Sequence, residues 1–164
     1  MNTHFTEEFK QSKVVFEGYG SVFNIVDNVG DIILPGAFKN TLKSKKPIRL
    51  LWQHDYKHPI GNVLDIFEDT KGLYIKGLLL LDLFKGKEAY LLIKNHAICH
   101  LSIGYEVKDA FYSEDVRYIK EVDLWEVSIV TFAANPESRI KILYDTEDKI
   151  LTSEIDKAIQ ILDH

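Results

Sequence analysis

The sequence has one cysteine, few prolines and no long apolar run. The single cysteine, Cys99, excludes an internal disulfide and fits a reducing compartment. The longest apolar stretch, GLLLLDLF, is interrupted by Asp82 and is too short to cross a bilayer. No N-terminal segment has the apolar core of a signal peptide. We therefore expect a soluble protein, made in the cytoplasm, with no membrane partner.

An excess of positive charge is also missing. The chain carries 20 Lys and Arg residues against 25 Asp and Glu residues, which gives a formal net charge of −5. Such a chain has no general affinity for nucleic acid, so we expect no nucleic-acid partner. Hydrophobic residues make up 46% of the 164 residues and aromatic residues 12%, values typical of a globular domain with a real core.

Several motifs of well-known enzymes are absent from the sequence. The G-x-S-x-G of the α/β-hydrolases does not occur, and the G-x-G of GYGSVF lies within a strand pattern rather than before a helix. His54 and His58 are four residues apart, but a proline-containing turn predicted at 55–59 separates them, which does not fit a metal site. We therefore expect neither a metal nor another cofactor.

Strand-like segments dominate what is present. Runs rich in aliphatic, β-branched and aromatic residues predict strands at 13–23, 48–53, 60–67, 73–81, 98–108, 117–122 and 124–132. Helical spacing of apolar residues predicts short helices at 37–44 and 85–96, whereas residues 24–36 read as a turn-rich loop. About seven strands with two or three helices favour a mostly β (α+β) fold, a closed or nearly closed β-barrel with flanking helices.

The most apolar of these strands, LWEVSIVTF at 124–132, contains one carboxylate. Strand alternation puts Glu126 on one face with Leu124, Ser128, Val130 and Phe132, an otherwise mostly apolar row. Removing an unpaired carboxylate from water is expensive, so Glu126 should have a cationic or hydrogen-bonded partner. A buried structural ion pair would meet this need as well as a catalytic one.

Two other strand-like runs offer partners for Glu126. His54 in IRLLWQHD shares the parity of Leu50, and Ser102 in AICHLSIGY shares the parity of Ile98. A hydroxyl, an imidazole and a carboxylate are the parts of a Ser–His–acid hydrolase. Each residue alone also has an ordinary structural explanation, so the residues themselves leave both roles open.

Five blocks of sequence, in order, resemble the prohead (capsid maturation) proteases of tailed bacteriophages. The blocks span residues 17–140 and read GYGSVFNIVDNVGDIILPGAF, LLWQHD with PIGNV, GLYIKGLLLL, AYLLIKNHAICHLSIGY and VDLWEVSIVTFAANPESRI. The resemblance implies a serine protease with the herpesvirus assemblin fold. It also implies that His54, Ser102 and Glu126 are the catalytic residues, the same three that the burial argument selects.

The resemblance further implies an endopeptidase that matures a phage procapsid. Its expected substrates are the scaffolding protein, or a scaffold-like N-terminal region of the major capsid protein, and the enzyme itself by self-cleavage. It would act inside the procapsid, in the host cytoplasm. The loop after the Glu126 strand is expected to receive the oxyanion, with Ala134 and Asn135 as candidates and Arg139 as support.

Two other interpretations come from different classes of protein. One is a catalytically silent barrel that acts as a scaffold or capsid-binding module, although the presence of all three triad residues argues against it. The other is a host-encoded hydrolase on the same fold.

The sequence divides into a barrel domain at 1–145 and a C-terminal segment at 146–164 that contains an amphipathic helix. Ile155, Ile159 and Leu162 share one face of this helix, predicted at 152–162. We favour packing of that face on the barrel of its own chain. Docking on a neighbouring subunit or on the scaffold, and thus self-association, is the minority hypothesis.

Overall fold

The computed structural model describes residues 13–145, so the helix predicted at 152–162 lies outside the described residues. The described elements are β1 (Lys13–Val22), β2 (Asp31–Ile33), α1 (Lys39–Lys43), β3 (Arg49–Trp52), β4 (Asp55–Glu68), β5 (Gly72–Leu80), α2 (Phe84–Lys94), β6 (His100–Ser113), β7 (Val116–Val130) and β8 (Ile140–Asp145). The prediction of a mostly β fold with few helices is confirmed. Within this range, neither helix has the length and apolar character needed to cross a membrane.

The strands join one mixed sheet that curls into a half-barrel. Seven of them follow one another in the order β2-β7-β3-β4-β5-β1-β8, and β6 pairs with β7 off this path. β7 has three partners because β2 and β3 run parallel to different parts of it while β6 runs antiparallel along its length. β7 is therefore the strand on which the other strands of the site are aligned.

The half-barrel is open, and the prediction of a closed or nearly closed barrel is wrong. β6 pairs with β7 and not with β8. The two margins of the sheet, at β6 and at β8, are therefore not joined by a ladder of hydrogen bonds. Within the described residues they meet at the isolated bridge between His100 and Arg139 and at the backbone hydrogen bond from Leu101 N to Ser138 O. The margins thus touch at one end of β6 only.

The core lies inside the curl of the sheet. Its fully buried side chains come mainly from the strands, and helix α2, which contacts β4 and β5, adds one. They include Phe16, Leu50, Leu73, Ile75, Leu79, Ala89, Leu101, Leu124, Val127 and Ile129. Burial of each large apolar side chain contributes about 1.5–3 kcal/mol, so this cluster is the main support of the fold.

The two strands predicted at 117–122 and 124–132 are one continuous strand, β7. Asp123 does not break it, because its carboxylate, with a side chain 19% exposed, is paired with Lys46 Nζ at 3.0 Å. The apolar row is also shorter than predicted, because Phe132 lies beyond the end of β7 with 89% of its surface exposed. On the opposite face of the strand, Trp125 is 55% exposed.

The segment predicted as a loop at 24–36 contains the short strand β2. Its three residues pair in parallel with the first part of β7, and Asp31 accepts a hydrogen bond from Arg117 Nε at 2.8 Å. A strand of three residues has too little pattern to be read from sequence. Its position matters because β2 forms one side of the site.

Candidate active site

His54 lies in a tight turn, not in the buried strand in which the sequence placed it. Gln53 and His54 link β3 to β4, and the flanking residues Trp52 and Asp55 pair with each other. The turn predicted at 55–59 is therefore wrong: that segment opens β4. Both turn residues have positive φ, 53° and 60°, as a type I′ turn requires. The turn projects the imidazole from the end of β3 toward β7.

The His54 ring is bonded to the carboxylate that the sequence singled out. His54 Nδ1 and Glu126 Oε1 are 2.6 Å apart, a short distance for a hydrogen bond between a ring nitrogen and a carboxylate. Glu126 is 9% exposed in the middle of β7. The prediction that this carboxylate has a hydrogen-bonded partner is confirmed. With Nδ1 donating to Glu126, Nε2 is the ring nitrogen left for other partners.

Ser128 connects the carboxylate to the turn. Its Oγ donates to Glu126 Oε2 at 2.6 Å and accepts a hydrogen bond from the backbone N–H of His54 at 3.0 Å. Ser128 is fully buried, so water does not compete for these bonds. One hydroxyl therefore restrains both members of the His54–Glu126 pair.

Gly104 leaves room for the same carboxylate. It pairs with Glu126 across the β6–β7 ladder, and a Cβ placed on it would lie 2.2 Å from Glu126 Oε1. No side chain fits at that distance, so glycine is required if Glu126 is to keep this position.

Ser102 lies on the strand beside this pair. It faces Ser128 across the ladder, is 8% exposed, and lines the same cavity as His54. No hydrogen bond joins Ser102 Oγ to the His54 ring among the described residues. Such bonds are often long without substrate and tighten only when it binds.

The cavity shared by Ser102 and His54 has a volume of about 210 Å³. It lies between the end of β1, β2 with the loop before it, β6, and the loop after β7. Burial, together with the carboxylates of Asp31 and Asp27, raises the pKa of Tyr105 in its wall to about 12. The Tyr105 hydroxyl is therefore protonated at neutral pH.

Two of the three residues predicted for the oxyanion site also line the cavity: Ala134 and Asn135. The Asn135 side chain is already engaged, since Nδ2 donates to Val22 O at 2.8 Å and Oδ1 accepts from Glu137 N at 3.1 Å. These bonds hold the side chain in place within the loop, and the backbone N–H of Asn135 remains available to a bound oxyanion.

Arg139, the third residue predicted for the oxyanion site, is not among the residues that line the cavity. Its backbone carbonyl accepts a hydrogen bond from Tyr19 N at 3.0 Å, and its Nε donates to Pro136 O at 3.3 Å. These bonds tie the loop after β7 to β1, which is a supporting position.

A buried carboxylate that orients an imidazole, next to a cavity with a serine hydroxyl, is what serine hydrolases use for acyl transfer. Among residues 13–145, no group of three or more His, Cys, Asp or Glu side chains is placed to hold a metal ion. The arrangement of Glu126, His54 and Ser102 is the one that characterises the class of serine hydrolases.

The chain belongs to the caudovirus prohead serine protease family, whose model matches residues 2–152. It is 36% identical over 141 residues to the prohead protease of Enterobacteria phage HK97, covering 83% of this chain. It spans only 62% of the length of that relative.

Solved structures show the same fold at low sequence identity. The bacteriophage T4 capsid assembly protease matches with a TM-score of 0.58 and 14% identity, over 72% of this chain and 82% of that one. The KSHV protease, solved with a hexapeptide phosphonate inhibitor, matches with a TM-score of 0.56 and 14% identity, over 82% and 65%. The predicted likeness to the herpesvirus assemblin fold is thus confirmed.

Sequence reasoning gave no positioning role to Ser128 or Gly104. Ser128 was visible as the polar residue two positions from Glu126 on the same face. Gly104 could be found only with the β6–β7 register, which no local pattern reveals.

Proposed function

We propose that this chain is a serine endopeptidase that cleaves phage capsid-assembly proteins. The observation that carries the proposal is the 2.6 Å hydrogen bond between His54 Nδ1 and Glu126 Oε1, beside a cavity lined by His54 and Ser102. Membership of the prohead serine protease family supports it.

In this proposal Ser102 Oγ attacks the carbonyl carbon of the scissile peptide bond. His54 Nε2 takes the hydroxyl proton and returns it to the leaving amine, so that an acyl-Ser102 ester remains. Water then attacks the ester, with His54 again as the base, and releases the new carboxyl end and free Ser102. Glu126 holds the ring in the required tautomer and stabilises its protonated form.

Backbone N–H groups would stabilise the oxyanion of each tetrahedral intermediate. We assign this role to the loop with Ala134 and Asn135, because both line the cavity and the Asn135 side chain is committed elsewhere. Each such donor typically contributes about 3 kcal/mol to the lowering of the barrier. Arg139 would support this loop through its bonds to Tyr19 and Pro136.

The proposed substrates are the scaffolding protein or a scaffold-like N-terminal region of the major capsid protein, with self-cleavage in addition. The reaction would take place in the procapsid, in the host cytoplasm. The names of two similar proteins support this substrate class: one is a prohead protease and the other a capsid assembly protease.

Co-expression with the major capsid protein and scaffold of the same genome tests the proposal, with intact-mass measurement of the products. Wild type should shorten a capsid or scaffold protein at one defined bond, and Ser102→Ala should leave it whole. Ser113→Ala is the matched control, because Ser113 is an exposed serine at the far end of the same strand, β6. Continued cleavage by Ser102→Ala would refute the assignment. Stable capsid binding by a wild type that cuts nothing would favour the silent binding module.

A further inference from the structure

Asn28 ties the loop before β2 to the loop after β7, on which the proposed oxyanion site lies. Its side-chain Nδ2 donates to the carbonyl of Ala133 at 3.2 Å, and its backbone N–H donates to the carbonyl of Ala134 at 2.9 Å. Asn28 is itself exposed and is not among the residues that line the cavity. One residue therefore binds two consecutive carbonyls of the loop from outside the cavity.

The direction of these two carbonyls determines the direction of two N–H groups. A peptide group is planar and trans, so its N–H points opposite to its C=O. The carbonyl of Ala133 shares a peptide group with the N–H of Ala134, and the carbonyl of Ala134 shares one with the N–H of Asn135. Because both carbonyls point toward Asn28, both N–H groups point away from it.

Neither of these two N–H groups is used within the described part of the protein. Among the hydrogen bonds of residues 13–145, none has the N–H of Ala134 or Asn135 as its donor. Both residues line the cavity that contains Ser102 and His54. Two successive N–H groups that point the same way form a small binding site for an anion.

Asp27 holds Asn28 in place before any substrate binds. Its Oδ1 accepts hydrogen bonds from the N–H groups of Val29 and Asp31, both at 2.9 Å. Its carbonyl accepts a third bond from the N–H of Gly30, whose positive φ of 87° glycine tolerates. The turn that presents Asn28 is therefore closed by its own bonds. Donors that are oriented in advance need no reorganisation when charge develops in the transition state.

We propose that Asn28 is a positioning residue of the protease, which orients the N–H groups of Ala134 and Asn135 into the cavity toward the oxyanion. The inference rests on the proposed function, in which this loop receives the oxyanion, and it adds the residue that orients the donors. Asn28 acts through the loop and touches neither the substrate nor the reacting atoms. Its effect is therefore expected on the transition state and not on the binding of the uncleaved substrate.

The test removes the side-chain bond of Asn28 and keeps its backbone bond. Asn28→Ala frees the carbonyl of Ala133, so the N–H of Ala134 loses its fixed direction. The substrate is a peptide that spans the cleavage site, once intact mass has located that site. We expect kcat to fall by about 10- to 100-fold with KM within about twofold of wild type, since loss of a whole oxyanion donor costs about 10²- to 10³-fold.

Asn28→Asp is a second variant of nearly the same shape. It should be at least as slow, because a carboxylate has no N–H to donate to the Ala133 carbonyl. Asn95→Ala is the matched control. Asn95 Nδ2 donates to the backbone carbonyl of Leu91 at 2.8 Å, at the end of α2, and neither residue lines the cavity. The control variant loses a bond of the same kind and should keep the wild-type kcat.

A peptide trifluoromethyl ketone of the substrate sequence gives a readout that a purely structural role would not change. Ser102 Oγ adds to its carbonyl carbon, the hydroxyl proton passes to His54, and the carbonyl oxygen becomes an oxyanion like the one formed during cleavage. The inhibition constant should rise in Asn28→Ala by about the factor by which kcat falls. It should not change in Asn95→Ala.

Two outcomes would overturn the inference alone, with wild type active and Ser102→Ala inactive. One is a kcat of folded Asn28→Ala and Asn28→Asp within about twofold of wild type, or a loss that lies wholly in KM. The other is a lower melting temperature with an unchanged inhibition constant, which is the behaviour of a residue that only stabilises its loop. If wild type and Ser102→Ala are equally inactive, the proposed function itself fails, and this inference with it.

Discussion

Gly104 faces Glu126 across the β6–β7 ladder, and the Glu126 carboxylate occupies the space where a Gly104 side chain would stand. Because a Cβ there would lie 2.2 Å from Oε1, Gly104→Ala should push the carboxylate away from His54. We expect cleavage to fall by about 10²-fold, the usual effect of a displacement near 1 Å in a catalytic group. The measurement is the cleavage rate per folded enzyme, with folding checked by circular dichroism. A folded variant with the wild-type rate would show that this position of Glu126 is not needed.

Glu126→Gln should leave a folded protein whose turnover is lower by about 10²- to 10⁴-fold, because the amide neither fixes the His54 tautomer nor stabilises the imidazolium. Asp123→Asn is the control, an acid three residues earlier on β7 that bonds Lys46 on the surface. It should stay within about twofold of wild type, since exposed ion pairs contribute little. If Asp123→Asn lowers turnover more than Glu126→Gln does, Asp123 would replace Glu126 as the proposed acid.

Ser128→Ala should slow turnover by about tenfold or more, because it frees Glu126 Oε2 and the His54 backbone N–H from the same hydroxyl. Ser128→Thr keeps the hydroxyl and should recover much of the rate, although the added methyl group lowers stability in a fully buried site. The downfield NMR signal of the His54 Nδ1 proton gives a readout that does not depend on substrate. An unchanged signal and rate in Ser128→Ala would contradict the positioning role.

Tyr105 should make the folded protein less stable at alkaline pH. Its pKa is raised to about 12 by burial and by Asp31 and Asp27, whereas an unfolded tyrosine titrates near its ordinary pKa of about 10. Between these two values the unfolded chain binds fewer protons than the folded one, so stability is full below pH 10 and falls as the pH rises toward 12. Tyr105→Phe should make the denaturant midpoint less dependent on pH in this window. An equally steep decline in the variant would assign the effect to other groups.

The sequence predicted the site better than it predicted the architecture. That Glu126 would have a partner followed from one observation, a carboxylate in an apolar strand, because a buried charge must be compensated wherever the strand lies. His54 was one candidate for that partner, and the resemblance to the prohead proteases pointed to it. The burial argument does not depend on topology. It worked even though His54 stands in a turn and not in the strand that was predicted for it.

The open margins of the sheet and the register of its strands could not be predicted from the sequence in the same way. Whether a curled sheet closes depends on which edge β6 takes, and pairing between distant strands leaves no local pattern. The irregularity in β1 between Tyr19 and Ser21 was also out of reach, because a bulge interrupts the alternation from which the direction of a side chain is inferred. Strand identity is local, whereas strand partnership is a property of the whole chain.

The parallel pairing of β3 with β7 has a consequence for the time at which the site forms. His54 and Glu126 are separated by 72 residues, and β3 meets β7 only after β4, β5, α2 and β6 have been synthesised. Pairing between such distant segments is slow, since the entropy of closing the intervening loop must be overcome first. A nascent chain that ends before β7 has the histidine and the serine but no carboxylate to orient the ring. The order of synthesis therefore keeps the growing chain from assembling its His–Glu pair until β7 has left the ribosome and docked.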